Sequence, residues 1–405
     1  MNKVKLGEIC DLSIGFVGTV TTQYENGGVP FFRTLNIKPY KILSNDLKTI
    51  TREFHDSQSK SKLYTGDIAM VHTGVPGICC VIPEEYNDSN CIDMIVIKPH
   101  KNKVDENYLC AYMNTIGYKH IEKQQVGCIQ KHFNLADAQE LEIFIPDIEK
   151  QRKIGNFVKL INDKISNAEK INKEIEDLIQ KVFNKWFFQL DYPGSCEEKK
   201  CYAHELNKDI PNSWSVKKID DIVEMISGYS FQSESYDENG EYKLYTIKNV
   251  QNGYINDEVD NKIKILPDNM PSEILLSEGD ILMSLTGNVG RIGIVYEKNA
   301  LLNQRVLKLK PKIPYSFIYA LFRTKYMYNQ LDRIATGTSQ KNLSPINMGN
   351  LNILVPNEVI LNKFDKIFSP LIRMITNNYK QIYDLKKLRE EVFPMLISEQ
   401  IKIEE

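Results

Sequence analysis

The spacing of apolar positions along this chain changes period, and the change occurs twice in the same order. Up to about residue 146, apolar residues fall in short β-branched and aromatic runs broken by Gly, Pro, Asn and Asp, which is the signature of strands. Val29 to Arg33, Ile68 to Val71 and Ile92 to Ile97 are such runs. After Pro146 the chain turns to Ile, Leu, Lys, Glu and Asn at helical spacing, and a long helix is predicted. The pattern then restarts. Tyr242 to Ile247, Ile281 to Leu285 and Val306 to Leu309 read as strands, and Pro356 precedes a second helical stretch.

The restart is an internal repeat. At an offset of 213, Leu6, Ile9, Gly15, Phe16 and Asn36 fall on Ile219, Ile222, Gly228, Tyr229 and Asn249. The same offset lays LYTGDIAMVHTGVPG (Leu63 to Gly77) on LSEGDILMSLTGNVG (Leu276 to Gly290). An offset of 210 then lays GCIQK (Gly127 to Lys131) on GTSQK (Gly337 to Lys341), and Pro146 on Pro356. Only three residues of drift separate the offsets, so the repeating unit is a whole domain rather than a solenoid repeat of about 20 to 45 residues.

The two helical stretches carry heptads. In the first, Ile154, Ile161, Ala168, Ile175 and Val182 form one seam set, and Val158, Ile165, Asn172, Ile179 and Trp186 the other. In the second the sets are Phe364, Leu371, Asn378, Leu385 and Val392, and Phe368, Ile375, Ile382, Arg389 and Leu396. Each helix has one seam Asn. Antiparallel packing with Asn172 opposite Asn378 makes partner numbers sum to 550, and every seam pair but Ile161 with Arg389 is then compatible. An Asn amide is best satisfied by another, and such pairs fix register. Ile154 to Trp186 is 33 residues, about 50 Å at ~1.5 Å per residue, longer than the side of a 150-residue domain. Pro394 is expected to end the second helix. The predicted class is α+β: two β-rich domains in pseudo-twofold tandem repeat, separated by two long antiparallel helices forming a coiled coil. The boundaries read as 1–148 for the first domain, 149–188 for the first helical spacer, 189–355 for a connector with the second domain, and 356–405 for the second spacer.

Composition narrows the function. The 405 residues are 42% hydrophobic, 26% charged and 10% aromatic, a globular composition with room for two or three domains. With 51 Lys and Arg against 53 Asp and Glu the net charge is −2, so bulk positive charge is not what would hold a nucleic acid. No run is long and apolar enough for a membrane span. Lys3, Lys5, Glu8 and Asp11 interrupt anything like a signal-peptide core, so a cytoplasmic protein is expected. Eight cysteines include no CxxC pair and no histidine at ligand spacing, so neither a metal nor another cofactor is expected. Cys79 and Cys80, in the apolar run Ile78 to Ile82, read as buried hydrophobes.

A rigid spacer with two similar heads suits a ligand with two separated half-sites, of which duplex DNA is the commonest. In its domain–helix–domain–helix order the chain resembles the specificity subunits of type I restriction-modification systems. The opening VKLGEI (Val4 to Ile9) and its counterpart PNSWSVKKIDDI (Pro211 to Ile222), the paired GD and TG motifs, and the GxxQK segments carry the resemblance. The helical region opens with EKQRKI (Glu149 to Ile154) in the first copy but NEVILNKF (Asn357 to Phe364) in the second, a departure that leaves the start of the second helix open. The resemblance implies a chain with no catalytic residues that reads a bipartite double-stranded DNA target, one half per domain. It implies two methyltransferase subunits and restriction/translocase subunits as partners. The chain itself has no NPPY-like tetrapeptide and no GxxxxGK[ST] loop, so methyl transfer and ATP-driven motion are assigned to other chains. The alternative is a paired-domain scaffold that binds protein through its heads without DNA specificity. A hydrolase using Asp67 and Asp280 is discounted, because carboxylates on heads held about 50 Å apart cannot share a substrate.

Base edges are read by Arg, Lys, Asn, Gln, Ser and Thr on loops. The first-domain candidates are Arg33, Asn36, Lys38, His72, Thr73, Gln130, Lys131 and His132. The second-domain candidates are Lys248, Asn249, Thr286, Asn288, Arg291, Gln340, Lys341 and Asn342. The Gly-Asp and Thr-Gly pairs also read as turn residues that fix strand geometry. Gln130/Lys131 and Gln340/Lys341 recur in both copies and so read as phosphate or framework contacts. Positions that differ between copies suit specificity better: Arg33 against Thr246, His72 against Leu285, and Ile78 against Arg291.

Overall fold

The structure is a computed structural model, and it describes residues 2–119, 121, 133–337, 340–398, 400, 401 and 403. The chain divides into two compact units, Met1–Ile165 with Leu385–Glu405, and Ser166–Asp384.

In the first unit Asn2–Lys5 pairs antiparallel with Glu142–Ile145, and a single helical turn, Leu6–Ile9, follows. An antiparallel sheet runs in the order Cys10–Ile14, Met94–Pro99, Ile68–Val71, Cys79–Val81. A second sheet runs Lys48–Ile50, Tyr24–Phe32, Ser89–Cys91, Lys62–Leu63, with its two middle strands parallel. Ile68–Val71 is buried along its whole length. Its alternate residues serve different cores: Ile68 and Met70 pack with Ile95, Ile97, Tyr108 and Leu109, whereas Ala69 and Val71 pack with Phe32, Leu63, Val96 and Cys80. A strand covered on both faces needs apolar residues at every position, which is why these runs do not alternate in the sequence.

The second unit repeats these sheets in the same strand order. Ser215–Lys218 pairs with Asn352–Val355. The antiparallel sheet is Val223–Ser227, Val306–Pro311, Ile281–Ser284, Ile292–Ile294, and the mixed sheet is Lys262–Ile263, Tyr242–Tyr245, Ala300–Leu302, Leu275–Leu276. The register is kept as well: Ile68 faces Val81, and Ile281 faces Ile294. A connector hairpin, Lys200–Ala203 with Lys208–Pro211, has no counterpart among the described residues of the first unit.

Two long helices complete the fold, Ile148–Phe183, which continues into a π-helical turn at Asn184–Phe188, and Glu358–Ile397. Their starts correspond although their sequences do not. Asp147 Oδ1 accepts from Lys150 N–H at 2.9 Å and Asn357 Oδ1 from Ile360 N–H at 3.0 Å, each directly after a proline. Such N-caps are worth about 1 kcal/mol. The Gln of the first copy ties the helix start to its domain. Gln151 is buried, accepts from Asp105 N–H, and donates to the Pro146 and Lys103 carbonyls. Its counterpart Leu361 is a core residue, which accounts for the departure in the second copy.

The helices pack antiparallel. In the second unit Asn378 Nδ2 donates to Asn172 Oδ1 at 2.7 Å, Ile175 and Ile375 share a core, and the Trp186 and Phe364 rings lie 5.7 Å apart. In the first unit Val158 joins Phe393 and Leu396 in one core. The expectation that Pro394 ends the second helix is corrected: the helix runs through it, and through Pro370, to Ile397. The lost N–H and the ring clash are offset by burial of Phe393, Leu396 and Ile397 around the proline.

Candidate nucleic-acid interface

The GD and TG motifs begin and end the same strand, so the sheet presents them at opposite ends. In both units the Asp is committed locally. Asp67 Oδ2 accepts from Tyr64 N–H at 2.9 Å and lies 3.6 Å from Lys98 Nζ. Asp280 Oδ2 accepts from Ser277 N–H at 2.8 Å and lies 2.7 Å from Lys308 Nζ. Each closes a turn and pairs with a lysine of the neighbouring strand.

The TG turn is built with Gly at left-handed φ, +86° at Gly74 and +72° at Gly287. In the second unit it is bound to the segment ahead of the long helix: Gly287 N–H donates to the Lys341 carbonyl at 3.0 Å, Leu343 N–H to Leu285 O at 2.8 Å, and Thr286 bridges to Asn342. Phe133 N–H donates to His72 O at 2.9 Å, the corresponding bond of the first unit. The fold thus brings together two motifs far apart in sequence. Gln130, Lys131 and His132 lie outside the described residues.

Of the second-unit candidates, Thr286 and Asn288 belong to this turn and Lys341 and Asn342 to the segment bound to it. Asn288 is exposed and Thr286 half-buried. Arg291 Nη1 donates to Gln251 Oε1 at 3.0 Å, and Gln251 Nε2 donates to the Lys248 carbonyl at 2.6 Å. Arg291 has no carboxylate within ion-pair distance among the described residues, so its charge is available to an incoming anion or base edge. Lys248 pairs with Asp260 at 2.6 Å, and Lys341 with Asp332 at 2.5 Å. Gln340 is exposed.

In the first unit Arg33 Nη2 lies 2.8 Å from Asp46 Oδ2 and also donates to the Asp46 carbonyl. Hydrogen bonds from Lys48 and then Arg33 hold the Asp46 carboxyl down at about 2. Lys38 is exposed. His72 is buried, its Nδ1 3.2 Å from Thr73 Oγ1.

Asn36 and Asn249 are loop closures. Asn36 is fully buried; its Oδ1 accepts from Arg33 N–H and its Nδ2 donates to Leu43 O. Asn249 accepts from Thr246 N–H and donates to the Asn256 and Glu258 carbonyls. Amides spent inside a loop are not presented to a groove. Gln251 was missed by sequence reasoning, and only its position two residues beyond Asn249 could have pointed to it. Among the described residues no cluster of three metal-ligating side chains occurs, and no helix is long and apolar enough to cross a membrane.

A family model described as the type I restriction modification DNA specificity domain matches residues 1–177 and again 211–386. The type I restriction enzyme MjaIX specificity subunit of Methanocaldococcus jannaschii is 30% identical over all of this chain and 94% of its own length. The MjaVIII specificity subunit of the same organism is 24% identical over 75% of this chain and 72% of that one. The fold is similar to that of a type I restriction-modification S subunit from M. genitalium, with TM-score 0.59 and 16% identity over 98% of this chain and 95% of that one. The chain belongs to the type I restriction-modification DNA specificity family. That family is the DNA-recognition component of such systems and not their catalytic one.

Proposed function

We propose that the chain reads a bipartite duplex sequence, one half per β-rich domain, and does so as the cytoplasmic specificity subunit of an assembly with two methyltransferase subunits and restriction/translocase subunits. The observation that carries this reading is a shared strand order and register in two domains whose residues differ around the TG turn. A common frame with unlike contact residues is what two unlike half-sites require. The domains comprise residues 1–148 and 189–355, the latter with its connector, and the helical spacers 149–188 and 356–405.

Within the second domain Arg291, Thr286 and Asn288 are assigned to bases, and Lys248, Gln340, Lys341 and Asn342 to phosphates or to the frame. In the first domain Lys38 and Thr73 are assigned to the corresponding contacts, with His72 buried beside Thr73 and Arg33 tied to Asp46. Gln130, Lys131 and His132 are assigned to the backbone-contacting segment by their correspondence with the second copy. Asn36 and Asn249 hold the loops. The test is selection from a random duplex library by the chain bound to its methyltransferase. Two short defined motifs at a fixed separation support the reading; a single contiguous motif or no enrichment refutes it.

A further inference from the structure

The loops closed by Asn36 and Asn249 are anchored alike. Tyr40 N–H donates to Cys79 O at 3.0 Å, and Gly253 N–H donates to Ile292 O at 2.7 Å, residues related by 213 on both sides of the bond. Both positions have positive φ, +63° at Tyr40 and +106° at Gly253. A guanidinium lies against each. Arg389, on the second long helix and 9% exposed, places Cζ 4.1 Å from the Tyr40 ring centroid and donates from Nη1 to Asn162 Oδ1 on the first long helix at 2.5 Å. Arg323, in the second unit, donates from Nε to Glu176 Oε1 on the first long helix at 2.7 Å and from Nη1 to Asn252. Its Nη2 sits 2.9 Å from where a Cβ at position 253 would be, so a side chain there would push the guanidinium aside.

The two arginines are not copies of each other. At the repeat offset, Arg389 corresponds to the buried Ile179, and Arg323 to Met113. A guanidinium has been placed at the same junction twice from different elements, which common descent of the repeat does not explain. Nor does stability explain Arg389. It has no carboxylate within ion-pair distance among the described residues, its Nε is buried without a hydrogen-bond partner, and an apolar residue at such a seam position is usually as stable or more so. What a planar, directional cation adds over an apolar residue is a fixed orientation between the loop above it and the helix that carries it.

We infer that Arg389 and Arg323 are positioning residues that fix each recognition loop against the spacer helices, and so restrict the half-site separation the chain accepts. This rests on the bipartite reading proposed above. The experiment maps methylated bases genome-wide in cells making the methyltransferase with wild-type chain, Arg389→Met or Arg389→Lys. In Arg389→Met the half-site sequences stay the same, while methylation at separations one base pair longer or shorter rises about tenfold, equivalent to about 1.4 kcal/mol. Arg389→Lys, which can still lie over the Tyr40 ring, returns the separation toward a single value. An unchanged distribution of separations in Arg389→Met overturns the inference. So does loss of all methylation in both variants, which would assign the arginine to folding alone. Absence of any two-part motif with the wild-type chain would instead refute the bipartite reading itself.

Discussion

Arg33 directly follows a middle strand of the first unit's mixed sheet and Arg291 directly precedes the end strand of the second unit's antiparallel sheet, and they are answered differently. Asp46 neutralises Arg33, whereas the neutral amide of Gln251 holds Arg291. An arginine already paired with a carboxylate must break that pair before it can fork onto a guanine; one steered by an amide keeps its charge and its remaining donors. The two arginines are not at equivalent positions, since Arg33 aligns with Thr246 and Arg291 with Ile78, so two domains with the same strands and turns present unlike chemistry both in where the arginine stands and in what holds it.

The largest expected effect breaks the comparison at the helix junction. Glu176 is the acceptor for both Arg323 and the Tyr319 hydroxyl, so Glu176→Ala strands a buried guanidinium and should cost about 3–5 kcal/mol in urea unfolding. The first unit has no such carboxylate among the described residues, and Arg389→Met should change stability by less than about 1 kcal/mol by the same measurement. Next in size is the seam amide pair. Asn172→Leu alone leaves the Asn378 amide unsatisfied and should cost about 1–3 kcal/mol, while changing both to Leu should be close to neutral and loosen register, read by cysteine crosslinking at Ile175 and Ile375. A smaller effect sharpens the Arg33 side. The Asp46 carboxyl titrates at about 2, below its ordinary value of 3.8, so its contribution is complete above about pH 4 and lost as pH falls toward 2. Asp46→Asn should flatten that limb of the melting temperature against pH. Smallest is Lys3→Ala, which removes an exposed pair with Glu142 and should cost less than about 1 kcal/mol.

The repeat and the heptads were legible because both are written in local spacing, and the antiparallel pairing followed from one Asn in each seam. The parallel partners Tyr24–Phe32 with Ser89–Cys91 and Tyr242–Tyr245 with Ala300–Leu302 were not, since nothing near either strand names its neighbour. The helix continued through Pro394 because tertiary burial outweighed a local breaker. The interface was less legible than the fold. Asn36 and Asn249 have the residue type of base readers but are buried, and the signal against them was their identity at the same repeat position. Residues shared by two domains with different targets tend to build the frame. Arg323, Glu176 and Gln251 act across distances of 40 to 147 residues, where sequence periodicity carries no information.

The central claim is that each domain reads its own half of one target. Its most direct test is a map of methylated bases in cells making the methyltransferase with either the wild-type chain or Arg291→Ala. The expected result is a two-part motif with the wild-type chain, and in the variant relaxed specificity in one half only, by about 1–3 kcal/mol at the affected base pair. A single contiguous motif, or equal relaxation of both halves, would contradict it.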